Sequence, residues 1–275
     1  MRTQAVAHSL EAELPFVVTG SDDFVHTALT HPMWHEYVMA TIEQRPASDA
    51  VVELHEAPLP TYTILPPMIQ CTLGTISSGV RLISHLLERE RQGHGIYTVH
   101  GNVISLGEKA VALIGGISGI GKTALSAQST TQGWRWIADE KFLIDESCSY
   151  RFGRSIILND QKTHDAAGLV RPTASTPREI HASVIPILTD SALEVHNYSS
   201  EKALYHYYEE LSRDITGARA LFMGYDFPLP SVDTQQLAAR RRRAAEHLSE
   251  SRPMYFMLGT AAAILEAIEQ RICDN

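Results

Sequence analysis

Residues 116–123, Gly-Ile-Ser-Gly-Ile-Gly-Lys-Thr, carry three glycines, a lysine and a hydroxyl in the spacing G-x-x-x-x-G-K-[ST]. Glycines let the backbone curl so that successive N–H groups converge on an anion, and a helix starting at the loop's end adds the positive pole of its dipole. The chemistry this predicts is nucleotide binding. Gly116, Ser118, Gly119, Ile120, Gly121 and Ala124 would offer backbone N–H groups to phosphate oxygens, Lys122 would reach the outer phosphates, and the Thr123 hydroxyl would ligate Mg²⁺. The spacing alone recurs by chance. Its setting is informative, because the apolar run 110–114 precedes it as a buried-type strand and the helix-forming run 124–128 follows.

The elements around the loop bring further residues to the same place. A helix of about ten residues descends ~15 Å and a strand of six climbs back ~20 Å, so residues 134–139, read as that strand, return Asp139 to the level of the loop. A strand-helix-strand crossover makes the two strands parallel and is almost always right-handed, so both ends lie on the edge where open α/β sheets hold ligands. Asp139 and Glu140 are thereby placed to hold Mg²⁺ and to accept a proton from a nucleophile. Two strands, 96–106 and 109–114, joined by a tight turn at Gly107-Glu108, precede the loop. Partners across that hairpin sum to about 215, and His100 then faces the start of the loop near Gly115. Its imidazole could contact a phosphate or tune a neighbouring carboxylate, or simply be satisfied by backbone.

The rest of the chain bounds the answer. Its 275 residues suit one large α/β domain or one domain with a smaller N-terminal piece, and 44% apolar content is that of a globular protein. A net charge of −9 disfavours nucleic acid and anionic membrane as partners. No signal-peptide pattern and no long apolar run is found, so a cytoplasmic location is expected. Three cysteines, Cys71, Cys148 and Cys273, form neither a disulfide framework nor a zinc motif.

Residues 1–75 read as a small, weakly patterned N-terminal α/β region, with strands at 14–19 and 50–54 and a helix at 35–42, and Pro58, Pro60, Pro66 and Pro67 break the chain after it. Residues 76–275 read as the nucleotide-binding domain. Helices are expected at 77–91, 204–219, 235–250 and 261–272, the third of them exposed. Strands are expected at 142–145, 150–152, 155–158, 181–188 and 254–258, with a polar loop at 159–176 that could serve as a lid or substrate-facing element, or equally be disordered.

Taken together, Val99-His-Gly-Asn, the 116–123 loop and Gly133-Trp-Arg-Trp-Ile-Ala-Asp-Glu140 resemble the core of the bacterial HPr kinase/phosphorylase family and the related phosphoenolpyruvate carboxykinase fold. The resemblance is collinear over residues 97–141. It implies an α/β fold with a P-loop core, a mixed sheet and flanking helices, with ATP and Mg²⁺ bound. It also implies that Lys122 and Thr123 hold phosphates and metal, that Asp139 is the general base, that Glu140 sits at the metal, and that His100 supports the site. Glu140 stands where the family has a second aspartate, Ile117 replaces a usually acidic residue, and the family's downstream Arg-Gly-rich signature is missing. The N-terminal region is too short for that family's accessory domain. Reduced relatives include kinases of ribosomally made peptides such as lasso-peptide precursors.

The leading expectation is therefore an ATP- and Mg²⁺-dependent kinase acting on a hydroxyl, above all a serine or threonine of a peptide or protein. A small-molecule hydroxyl kinase and a non-catalytic nucleotide sensor are the alternatives. The run Arg240–Arg243 reads as a solvated helix face or a homo-oligomer contact, or else as a dock for an acidic peptide or phosphate. Trp134 and Trp136 read as core residues, with base stacking the alternative. His31 and His35 have i,i+4 spacing but Pro32 between them, a poor metal pair.

Overall fold

The computed structural model describes residues 1–46, 49–57, 61–65, 68–73, 76–115, 119–153, 178–216 and 231–273, with backbone alone at 36–37, 61–65, 68–73 and 152–153. The chain is mixed α/β and forms two compact units, residues 1–95 with 212–239 and residues 96–211 with 240–275. The first unit thus runs past residue 75 and takes back a late segment.

In the first unit, β1 (Arg2–Ser9), β2 (Ala12–Thr19), β3 (Thr41–Glu43), β4 (Val52–Glu56), β5 (Thr61–Leu65) and β6 (Met68–Leu73) form a six-stranded sheet in the order β3-β1-β2-β4-β6-β5. It is mixed, because β2, β4 and β6 run parallel while β1 and β5 pair antiparallel with their neighbours. Helices α1 (Asp22–Thr30) and α2 (Ile76–Gly93) bury Val25, Leu82 and Leu87 against Phe16, Val18 and Leu54. Ser21 caps α1 by accepting from the Phe24 N–H, and Asp22 and Asp23 in the first turn answer the helix dipole.

The helix expected over 35–42 is only a π-turn, Trp34–Val38, after which β3 begins. Met39 stops it in the left-handed region at φ 56°. Tertiary partners capture the carbonyls a longer helix would have used: Ser9 Oγ donates to Met39 O, and the buried Arg91 guanidinium donates to Val38 O and Ser9 Oγ. Arg91 is also paired with Glu88. Burial lowers the Arg91 pKa against that pairing.

The second unit contains β7 (Ile96–Leu106), β8 (Lys109–Ile114), α3 (Lys122–Ser129), β9 (Arg135–Ala138), β10 (Lys141–Asp145), β11 (Ser149–Gly153), β12 (Arg178–Leu188), β13 (Glu194–Asn197), α4 (Ser200–Ser212), α5 (Gln235–Ser251), β14 (Met254–Gly259) and α6 (Ala261–Cys273). Its eight-stranded sheet runs β11-β10-β7-β8-β12-β14-β13, with β9 also on β7. The hairpin β7–β8 has the expected register, Gly101 opposite Ile114 and Leu106 opposite Lys109. Strands β8, β12 and β14 are parallel, so their C-terminal ends share one edge. Pairing of β11 with β12 closes β7, β10, β11, β12 and β8 into a ring.

Alternation along the strands splits the core in two. Val103, Ala112 and Ile114 face α4 and α5 through Tyr207, Ala245 and Leu248. Ile104, Val111 and Leu113 face α3 and α6 through Leu125, Ile264 and Ile268. Trp134 and Trp136 are buried in this second layer, as core residues. Helix α5 is not the exposed helix expected, since Ala244, Ala245 and Leu248 are buried. The arginine run divides accordingly: Arg240 Nε lies 2.6 Å from Glu146 Oε1, Arg241 is buried over the Tyr208 ring, and Arg242 pairs with Glu246 one turn on. The strand expected over 155–158 and the polar loop 159–176 lie outside the described residues.

Candidate functional site

Helix α3 starts without the devices that open α1. Its N-cap is Gly121, no side chain caps its first N–H groups, and its first turn has no acidic residue. A helix start of this kind, whose dipole no acidic side chain of its first turn answers, suits an anion. Gly116 and Ser118, with Ile117, lie outside the described residues. Gly119 and Gly121 have φ of 87° and 105°, left-handed values that favour glycine. Gly121 is also sterically fixed, because an added Cβ would stand 2.3 Å from Leu188 Cγ. The Ile120 carbonyl accepts from Leu188 N at 3.2 Å, which ties the loop to the end of β12.

Lys122 is 8% exposed, and its Nζ donates to the Gly115 carbonyl at 3.0 Å. The side chain thus turns back to the residue that follows β8. Thr123 is half-buried and Ala124 exposed in the first turn of α3.

Strands β8 and β9 flank β7 and both run antiparallel to it, so they are parallel to each other with β7 between them. Ala138 pairs with Val103, and Ala112 pairs with the same residue from the other side. Asp139 follows, one residue on from the level of Ala112, and β9 is the four residues Arg135–Ala138 rather than the six expected over 134–139. The acidic pair does not end a strand, however. Strand β10 continues along β7 in the same direction, with Lys141 opposite His100, so Asp139 and Glu140 form a two-residue break in a nearly continuous run. Such irregularities bend a strand and re-aim its side chains.

This break is held by backbone and by one side chain. Lys141 N donates to Asp139 O at 2.7 Å, and Gly101 N donates to Glu140 O at 2.9 Å. Glu140 has φ 65°, unusual for a residue with a Cβ. Its N–H donates to Asn102 Oδ1 at 3.0 Å, and Asn102 Nδ2 donates to Ser126 Oγ at 2.9 Å. Ser126 Oγ in turn donates to Lys122 O at 2.9 Å. Because the Glu140 amide can only donate, it fixes which end of the Asn102 amide faces it.

His100 lies two residues before Asn102 on the same face of β7, level with Gly115 as the hairpin register requires. Asp139, Glu140 and His100 are all half-buried. Two residues gain a place that their spacing did not announce. Asn102 was visible only as part of Val99-His-Gly-Asn. Lys141, 7% exposed, is the cross-strand partner of His100 and puts a second cation beside the acidic pair. Its neighbour in sequence, Glu140, was the only signal.

Among the described residues no group of three or more His, Cys, Asp or Glu side chains is gathered to hold a metal. His31 Nδ1 instead accepts from Met33 N at 3.2 Å, just past the end of α1. Among these residues, too, no helix is long and apolar enough to cross a membrane. No protein-family model matches the chain, and no curated protein matches it.

Proposed function

We propose that the chain is a phosphotransferase that moves the terminal phosphoryl group of ATP, with Mg²⁺, to a hydroxyl, above all that of a serine or threonine in a peptide or protein. On this reading the second unit is a P-loop core of the HPr kinase and phosphoenolpyruvate carboxykinase type. The observation that carries it is the parallel course of β8 and β9 on either side of β7, which brings Gly115, bonded by Lys122 Nζ, and the pair Asp139 and Glu140 to one end of the sheet.

The residues present fit the ligands. Magnesium bound to a nucleotide is held largely by phosphates and water and takes only one or two protein oxygens, which Thr123 and Glu140 would supply. ATP provides the phosphoryl group and Mg²⁺ spreads its charge, and positioning carries most of the rate in a loose transition state. Lys122 neutralises outer-phosphate charge. Asp139 accepts the proton of the attacking hydroxyl as its oxygen bonds to phosphorus and ADP departs. His100 and Lys141 line the side of the site next to the acidic pair.

Incubating the protein with Mg-ATP and separate peptide and metabolite pools, followed by mass spectrometry, tests the reaction and its acceptor class. Phosphoserine or phosphothreonine in the peptide pool is expected. Phosphorylation confined to the metabolite pool moves the acceptor to a small molecule, and binding without transfer to either leaves a sensor. Lys122→Ala should abolish transfer and weaken ATP binding in calorimetry. Unchanged affinity in a folded variant overturns the assignment of the loop.

A further inference from the structure

We propose that Asn102 is a positioning residue that sets the acidic pair against the nucleotide loop, an inference that rests on the phosphotransfer reading above. The sheet holds Glu140 by its carbonyl, which accepts from Gly101 N, and leaves its amide to another partner. The regular pairing stops at Ala138 and resumes at Lys141, and of the two residues between them Glu140 adopts a left-handed backbone that costs energy for any side chain with a Cβ. Asn102 supplies what the ladder lacks. It is 1% exposed, sits in the middle of β7, and receives the Glu140 amide on one side while donating to Ser126 on the other.

The result is an unbroken chain of hydrogen bonds from Glu140 N through Asn102 and Ser126 to the Lys122 carbonyl. Lys122 is the first residue of α3, so the backbone of the metal-side carboxylate is referenced to the helix that faces the phosphates. Buried amide bridges of this kind are stiff, because an unpaired arm in a low-dielectric site is costly. No other amide side chain type of this length does the same work. Aspartate could accept from Glu140 but could not donate to Ser126, and leucine could do neither. The bridge acts through Glu140 and touches no reacting atom.

The full-length chain tests this with two variants. In Asn102→Leu the Glu140 amide should exchange with deuterium roughly tenfold faster or more. The turnover number should fall by about tenfold or more while the KM for ATP stays within roughly threefold, and the Mg²⁺ concentration for half-maximal activity should rise. Ser126→Ala cuts only the α3 arm. It should leave Glu140 protected in the free protein, yet remove the extra protection that Mg-ATP confers on the wild type. If Asn102→Leu does not fold, Ser126→Ala decides alone. A folded Asn102→Leu with wild-type Glu140 exchange and Mg²⁺ dependence, or a Ser126→Ala variant whose Glu140 responds to Mg-ATP as the wild type does, overturns the proposal. A wild-type chain that binds no Mg-ATP in calorimetry overturns the phosphotransfer reading beneath it.

Discussion

Glu140 combines a demanding backbone with a demanding role. At φ 65° a glycine would be at ease, and replacing Glu140 with glycine should leave stability about level or up to ~1 kcal/mol higher, strain relief being offset by chain entropy. The same variant should need more Mg²⁺ for transfer. Thermal unfolding together with Mg²⁺ titration checks both, and a clear loss of stability would show that the carboxylate, rather than the backbone, holds this position. Its neighbour is expected to behave in the opposite way. Asp139→Asn keeps the shape but loses basicity, so transfer should drop by at least ~10²-fold while Mg-ATP affinity changes much less. Wild-type turnover in that variant would leave Asp139 as a metal or structural group only.

At the level of elements, the hairpin β7–β8 carries His100 and Asn102 of the candidate site and tolerates little change. A Cβ on Gly101 would stand 2.3 Å from the Leu113 carbonyl, so Gly101→Ala must push the two strands apart. A loss of about 1–3 kcal/mol is expected in denaturant unfolding. The turn between β10 and β11 is tied by Asp145, which accepts from Ser147 Oγ at 2.6 Å, from Ser147 N and Ser149 N, and from Arg151 Nη1. Burial pulls the Asp145 pKa up, but these donors outweigh it and hold the carboxyl below its ordinary value. Its contribution is then full above the unfolded carboxylate pKa of about 4 and fades as pH falls through the lower folded value. Asp145→Asn should cost about 1–2 kcal/mol at neutral pH and progressively less in acid, which chemical unfolding across pH measures.

The hairpin was legible in the sequence because its turn and its alternation agree, and helix α6 because its apolar spacing is unbroken. Strand β1 was missed since its inward residues, Ala5 and Ala7, are too small to mark an alternation. The π-turn at Trp34–Val38 was misread because what ends it comes from Ser9 and Arg91, far along the chain. In the candidate site, residue types drew attention to the loop and the acidic pair. The break that aims the pair, and the Asn102 bridge that holds it, depend on pairing between strands that no local pattern encodes.

The whole molecule is built from units that interleave in sequence. Residues 212–239 belong with residues 1–95: His85 Nδ1 lies 2.8 Å from Asp214 O, Ile215 is fully buried, and Val232 packs on the core of the first sheet. A fragment of residues 1–95 should therefore lack a cooperative unfolding transition by circular dichroism, and a sharp transition at wild-type temperature would refute this. The same interleaving has a consequence for synthesis. The first sheet leaves the ribosome early, but the segment that completes its unit follows only after residues 96–211 have been made. At roughly 5–20 residues per second that delay is on the order of ten seconds. For that interval the nascent chain presents an unfinished apolar surface, and chaperone capture and self-association compete for it before the late segment arrives.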